Sequence, residues 1–300
     1  MTAKRPALLI VGHGTTSRAG VAEHLALAER VRALIPQRAP GIDVGAGFVE
    51  LAPPPISTAV ADLVARGNRH VVVVPLVLFD AGHAKTDVPA SVNLARAEHP
   101  GVRFTYGRAL GVHPHVLDVV IERLEAVIPG EQRPSTAVLL VGRGSTDPDA
   151  NAELHRVARL LWEGRAWTHV EPAYVSLTGP RVPEGLARLR ALGARRIAVV
   201  PYFLFAGVLE ERIRAQAGAF AQGHPDVAVS VARHLGPDQR IASLVLDRYA
   251  EAVLGPPQRS CDTCVHRVLT AGFEDKFQSP LRPHQHPDDD ATHHHRAPIH

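Results

Sequence analysis

Two cysteines are all that 300 residues contain. They cannot make a disulfide framework, and a reducing cytoplasm is the default compartment for such a chain. Long apolar runs are missing as well. The longest, such as Val71–Leu78, are far shorter than the roughly 20 residues a membrane-crossing helix needs. Met1–Pro6 has two basic residues but no apolar stretch before a small-residue cleavage site, so no signal peptide is expected. Excess charge is missing too. The 33 basic residues against 30 acidic ones leave +3, and Lys and Arg are scattered among acids rather than gathered in a stripe. Nucleic acid is therefore not an expected partner. Nucleotide fingerprints are lacking. Gly12-His13-Gly14-Thr15-Thr16 has neither the Lys and spacing of a P-loop nor the third glycine of a dinucleotide motif. No nucleotide cofactor and no ATP requirement are expected.

What is present is an ordinary globular composition, 45% hydrophobic and 21% charged, which rules out a wholly disordered chain. Histidine is in excess: 18, against four Tyr and two Trp. Histidine is the commonest metal ligand, so its placement matters.

The first half alternates strand and helix patterns. Ala7–Val11, Val44–Leu51, Val71–Val74 and Val102–Tyr106 are expected strands. Val21, Leu25, Ala28, Val31 and Ile35 recur at helical spacing. Ile56–Arg66, Ala90–Glu98 and His115–Val127 are the further helices. The second half repeats the order, with strands at Ala137–Val141, Val170–Val175, Ile197–Val200 and Val227–Val231. Its helices are expected at Ala150–Trp162, Val182–Leu192, Leu209–Ala221 and Ile241–Val253.

The repeat is also visible residue by residue. Val11-Gly12-His13-Gly14 matches Val141-Gly142-Arg143-Gly144, and Phe48-Val49-Glu50-Leu51 matches Tyr174-Val175-Ser176-Leu177. Gly67 and Pro75 match Gly193 and Pro201, and Arg108-Ala109-Leu110-Gly111 matches Arg233-His234-Leu235-Gly236. A duplicated βαβ module predicts an α/β fold of two similar domains, each a small parallel sheet with helices on both faces. The expected domains are 1–130 and 134–254, joined by a linker over Pro129–Thr136. Residues 255–300 form a Cys- and His-rich tail that belongs to neither and is expected to be mobile.

In an open parallel sheet, ligands bind beyond the carboxyl ends of the strands. His13, Glu50 and His83 fall there, after the first three strands. Two imidazoles and a carboxylate suit a divalent transition metal with positions left open for exchange. The repeat is an internal control. Arg143 replaces His13, Ser176 replaces Glu50, and Leu209 or, with a one-residue shift, Val208 stands opposite His83. The fold does not need the three side chains. His24, His70, His99, His113 and His115 lack such placement and are expected at the surface.

Three motifs carry a family resemblance: Leu9–Thr15, Phe48–Pro54, and Pro75–Pro89 with Phe79-Asp80-Ala81-Gly82-His83-Ala84-Lys85 at its centre. Over about residues 7–254 the chain resembles the sirohydrochlorin chelatases, which insert cobalt or iron into a tetrapyrrole in cobalamin and sirohaem synthesis. The resemblance implies two chelatase-like domains facing across a cleft. It implies metal-binding and catalytic roles for His13 and His83 and an acidic ligand at Glu50. The implied substrate carries eight carboxylates, for which Thr15, Lys85, Arg143 and the N–H groups after Gly14 are candidate partners. The metal is then a substrate, Co2+ or Fe2+, with the His-rich tail tilting towards cobalt.

Cys261-x-x-Cys264, with His266 nearby, has the spacing of an iron–sulfur or zinc half-site. Two chains could share a cluster there, giving a dimer through the tail; otherwise a monomer is expected. Two free thiols is the plain alternative. The His-rich end reads as a low-affinity metal reservoir, with disorder or an expression-tag remnant as the other readings. For the whole chain, the alternative function is a non-catalytic metallochaperone or metal-storage protein.

Overall fold

The structure is a computed structural model that describes residues 4–80, 85 and 87–255. His83, Cys261, Cys264 and His266 lie outside the described residues, as does the rest of the expected tail after Gly255.

Among the described residues, eight strands form two parallel four-stranded sheets. The first contains β1 (Ala7–Gly12), β2 (Val44–Phe48), β3 (His70–Pro75) and β4 (Arg103–Tyr106) in the order β2-β1-β3-β4. The second contains β5 (Ala137–Gly142), β6 (Val170–Tyr174), β7 (Arg196–Pro201) and β8 (Ala228–Val231) in the order β6-β5-β7-β8. The register repeats with the order. Ile10 pairs with Ala46 and Val74, and Leu140 with Pro172 and Val200. The central strands are apolar throughout because both faces are covered.

Among the described residues, eight helices cover the sheets: α1 (Arg18–Arg38), α2 (Ile56–Ala65), α3 (Asp87–Glu98), α4 (Pro114–Glu125), α5 (Pro148–Trp162), α6 (Val182–Ala191), α7 (Val208–Gly223) and α8 (Gln239–Leu254). Strand alternation decides which face each residue serves. Ala7, Leu9 and Val11 meet α2 and α3 in one outer core, and Leu139 and Val141 meet α6 and α7 in the other. Leu8, Ile10, Val72 and Val74 instead join Val138, Leu140, Ala198 and Val200 in one core shared by both halves. The segment Pro129–Thr136, expected as a linker, holds a 3-10 turn at Gly130–Ser135.

The closing helices are exchanged. α4 ends the first half but packs on β7 and α5 of the second, while α8 packs on α1, β3 and β4 of the first. Each carries an arginine across. Arg248 is buried and donates to the carbonyls of Ala109 and Leu110. Arg123 donates to the carbonyls of His234 and Leu235. The two arginines and their targets are related by the same offset of 125 residues that relates Arg108–Gly111 to Arg233–Gly236. The halves therefore clamp each other through a duplicated contact.

One helix face departs from expectation. The buried residues of α1 are Gly20, His24, Leu27, Ala28 and Val31, so the core stripe is rotated by about one residue from the expected one. Val21 is half-buried and Leu25 is 37% exposed. His24, expected at the surface, is 1% exposed. The second half has Leu154 at the corresponding place, so His24 occupies a site built for an apolar side chain.

Candidate active site

The backbone places His13 beside Glu50. β1 and β2 keep pairing past their ends: Val49 N donates to Gly12 O and Glu50 N donates to His13 O, both at 3.0 Å. The residues that follow two neighbouring strands thus stand side by side. His13 Nε2 is 3.5 Å from Glu50 Oε1, and both side chains are partly open to solvent. Two ligands about 2.1 Å from one tetrahedral ion stand about 3.4 Å apart, so the observed separation suits a shared divalent ion.

A strained turn fixes the carboxylate end. Ala52 N donates to Glu50 O at 2.7 Å, closing a three-residue turn around Leu51, whose φ is +61°. Such a positive-φ γ-turn is rare and strained for a branched side chain. Gly14 seals it from the other side. Its φ is +107°, and a Cβ there would lie 1.8 Å from Glu50 O. Only glycine fits so close to the carbonyl.

The second half repeats this framework without its donors. Val175 N donates to Gly142 O and Ser176 N to Arg143 O. Thr178 N donates to Ser176 O at 2.7 Å, and Leu177 also has φ +61°. A Cβ on Gly144 would lie 2.1 Å from Ser176 O. The contrast seen in the sequence between the two copies therefore holds in three dimensions: one backbone, two sets of side chains.

The remaining sequence candidates separate. Thr15 adjoins His13 and accepts from Ser17 N at 3.1 Å, where α1 begins. Arg143 is half-buried at the end of β5. Lys85 is nearly buried and crosses to the second half, with Nζ 2.6 Å from Asp147 Oδ2 and 3.5 Å from Asp149 Oδ2. Its charge is matched within the fold rather than turned to an open cleft. Among the described residues no cluster of three or more His, Cys, Asp or Glu could hold a metal. The third expected ligand, His83, is outside them.

Two contacts across the halves escaped the sequence reading. Phe79 stacks on Tyr202 with ring centroids 5.4 Å apart. Glu23 of α1 accepts from Ala206 N, Arg233 and His234, each at 2.8 Å, while Glu210 Oε2 stands 2.8 Å from the other nitrogen of His234. Burial raises the Glu23 pKa, but the Ala206 N–H and the His234 and Arg233 contacts outweigh it and hold the carboxyl below its ordinary value. The loops after the strands of the two sheets thus touch each other directly. Only the repeat offset of Arg123 and Arg248 could have been read beforehand, since it extends the anchors already noted.

Known proteins resemble this chain in sequence and fold. The CbiX family model matches residues 7–127 and again 137–252. The sirohydrochlorin cobaltochelatase of Priestia megaterium is 35% identical over 223 residues, 74% of this chain and 73% of that protein. The sirohydrochlorin ferrochelatase of Bacillus subtilis is 31% identical over 248 residues, 82% of this chain and 92% of that protein. Among solved structures, SirB from Bacillus subtilis with Fe3+ matches with a TM-score of 0.72 and 29% identity, covering 83% of this chain and 96% of that one. Two family matches in one chain, set on two copies of one sheet, leave a single conclusion: this chain belongs to the CbiX family, the family of the sirohydrochlorin chelatases.

Proposed function

We infer that this chain inserts a divalent metal ion into sirohydrochlorin, with the ion held at the end of the first sheet. The observation that carries the reading is the His13–Glu50 pair, 3.5 Å apart at adjacent strand ends in a chelatase framework. The reaction needs a partly dehydrated ion, a macrocycle placed over it, and removal of two pyrrole protons. An imidazole ligates cobalt(II) or iron(II) and also accepts a proton near neutral pH. In this reading His13 and His83 hold the ion, and as it transfers one of them accepts the two pyrrole protons in turn and passes each to solvent. Glu50 completes the ligand set and offsets its positive charge. Arg143 and Thr15 face the carboxylates of the substrate. The metal is a substrate, and the relatives divide between cobalt and iron.

Two cysteines in the whole chain support a reducing cytoplasm, and no helix among the described residues is long and apolar enough to cross a membrane. Cys261 and Cys264 are proposed as an iron–sulfur or zinc half-site outside the catalytic core.

The test is anaerobic metal insertion, followed by the change in the macrocycle's absorption, with cobalt(II) and iron(II) offered separately. His13→Ala, His83→Ala and Glu50→Gln should each lose most of the activity. Full activity in all three variants would overturn the assignment. Comparing the two metals in the wild type decides which one is preferred.

A further inference from the structure

A pocket of about 370 Å³ opens between the first turns of α1 and the Leu51 turn, lined by close sequence neighbours of His13 and Glu50. We propose that this pocket is a subsite for one corner of the macrocycle, with Leu51 and Leu25 against the ring edge and Arg18 on a carboxylate arm. The proposal rests on the chelatase reading above and adds a place and a residue set for substrate recognition.

Position is the first argument. Thr15 lies two residues beyond His13, and Leu51 follows Glu50 directly, and both line the pocket. A macrocycle centred over the pair extends its periphery into the adjoining recess. The volume is within the range of small-molecule sites, about 300–1,000 Å³, and exceeds what one carboxylate arm would need.

Chemistry is the second. The walls are apolar, from Val21, Leu25, Leu51 and Pro53, with Thr15 and Arg18 as polar elements. That combination fits a flat ring that carries acidic arms. Val21 and Leu25 are the apolar residues of α1 that the core does not bury, which gives them a use. Arg18 is exposed, and among the described residues it forms no ion pair. The first turn of α1 holds no acidic side chain, so its free N–H groups also favour an anion.

Strain is the third. Leu51 is 43% exposed and held at φ +61°. Holding a leucine in that conformation is unfavourable, and leaving it in water forfeits the gain from burying it. A ligand that covers Leu51 recovers part of that gain, and the turn aims the side chain at the pocket beside the metal pair.

Two variants test the subsite. Arg18→Gln removes the charge, and Leu51→Asn keeps a residue that tolerates positive φ while removing the apolar contact. Insertion kinetics should be measured with sirohydrochlorin and with its methyl ester, and cobalt(II) affinity by titration without macrocycle. Arg18→Gln should raise KM for the free acid about tenfold, leave cobalt affinity as in the wild type, and show no effect on the ester. Leu51→Asn should raise KM for both forms. If the wild type inserts no metal, the chelatase reading fails and the subsite with it. If the wild type inserts metal and both variants keep wild-type KM values and cobalt affinity, the subsite alone is refuted. A loss of cobalt affinity in Leu51→Asn would report damage to the turn that holds Glu50, and Arg18→Gln with acid and ester then decides.

Discussion

His24 gives the sharpest quantitative test of the packing. Its ring lies 4.4 Å from Phe48 and 5.5 Å from Phe205, centroid to centroid, and its Nε2 has no hydrogen-bond partner among the described residues. Burial pulls its pKa from 6.5 down to about 4. The folded chain therefore keeps this imidazole neutral in a range where the unfolded chain protonates it. Between pH 6.5 and 4 the unfolded state binds more protons, so stability is full above the unfolded value and falls as pH falls through this window. Lowering the pH from 7.5 to 5 should remove about 2 kcal/mol through this one group.

His24→Leu installs the residue that the second half carries at Leu154. It removes both the titration and the unsatisfied nitrogen, the latter worth about 1 kcal/mol or more at neutral pH. Urea unfolding of both proteins, followed by far-ultraviolet circular dichroism from pH 5 to 7.5, measures the gap. The leucine variant should be the more stable throughout, and its advantage should widen by about 2 kcal/mol towards pH 5. A gap that stays constant within about 0.5 kcal/mol would refute the reasoning, because the ring would then be titrating alike in both states.

Two further substitutions separate framework from chemistry. Gly14→Ala forces a Cβ to within 1.8 Å of Glu50 O at φ +107°; calorimetry and cobalt(II) titration should show about 2 kcal/mol or more of lost stability and at least about a tenfold loss of affinity. Gly144→Ala, with its Cβ 2.1 Å from Ser176 O, should lose comparable stability while cobalt binding persists. Arg248→Met leaves two buried carbonyls without their donor and should cost about 3 kcal/mol or more in urea unfolding. Arg123→Met, whose side chain is 16% exposed against 2% for Arg248, should cost less.

Much of the fold was legible because two signals agreed. Unbroken β-branched runs such as Val71–Val74 mark strands buried on both faces, and the duplicated anchors fix how many such runs each half has. Strand ends were found to within three residues, the largest error being Val44–Leu51 against an observed end at Phe48. The excess there is the γ-turn region, whose apolar letters read as strand although the backbone has turned. The pairing of His13 with Glu50 was also legible, since residues after adjacent parallel strands share one end of a sheet. The place of His24 was not. A helix with apolar residues on two sides offers two stripes, and the letters favoured Val21 and Leu25 over a stripe containing histidine. The exchange of α4 and α8 was hidden for a similar reason: an amphipathic helix shows that it needs an apolar partner, not which one.

That exchange explains why a half with Arg143 and Ser176 in place of His13 and Glu50 is retained. The inner face of the first sheet, with Leu8, Ile10, Val72 and Val74, is closed by α1 and by α8, and α8 is encoded at the end of the second half. Ending the chain after α4 would expose those residues, and it would remove Arg248 from the carbonyls of Ala109 and Leu110. Each buried Leu, Ile or Val side chain is worth about 1.5–3 kcal/mol, so uncovering even Val72 and Val74 of β3, which α8 packs on, removes a large part of a typical domain's stability. The second half is therefore free to change Arg143 and Ser176, whose side chains the backbone framework does not require. It is not free to lose Arg248 or the apolar face of α8. Selection on the first half's packing preserves the second half's helix, and the two arginine clamps are where that dependence is most concentrated.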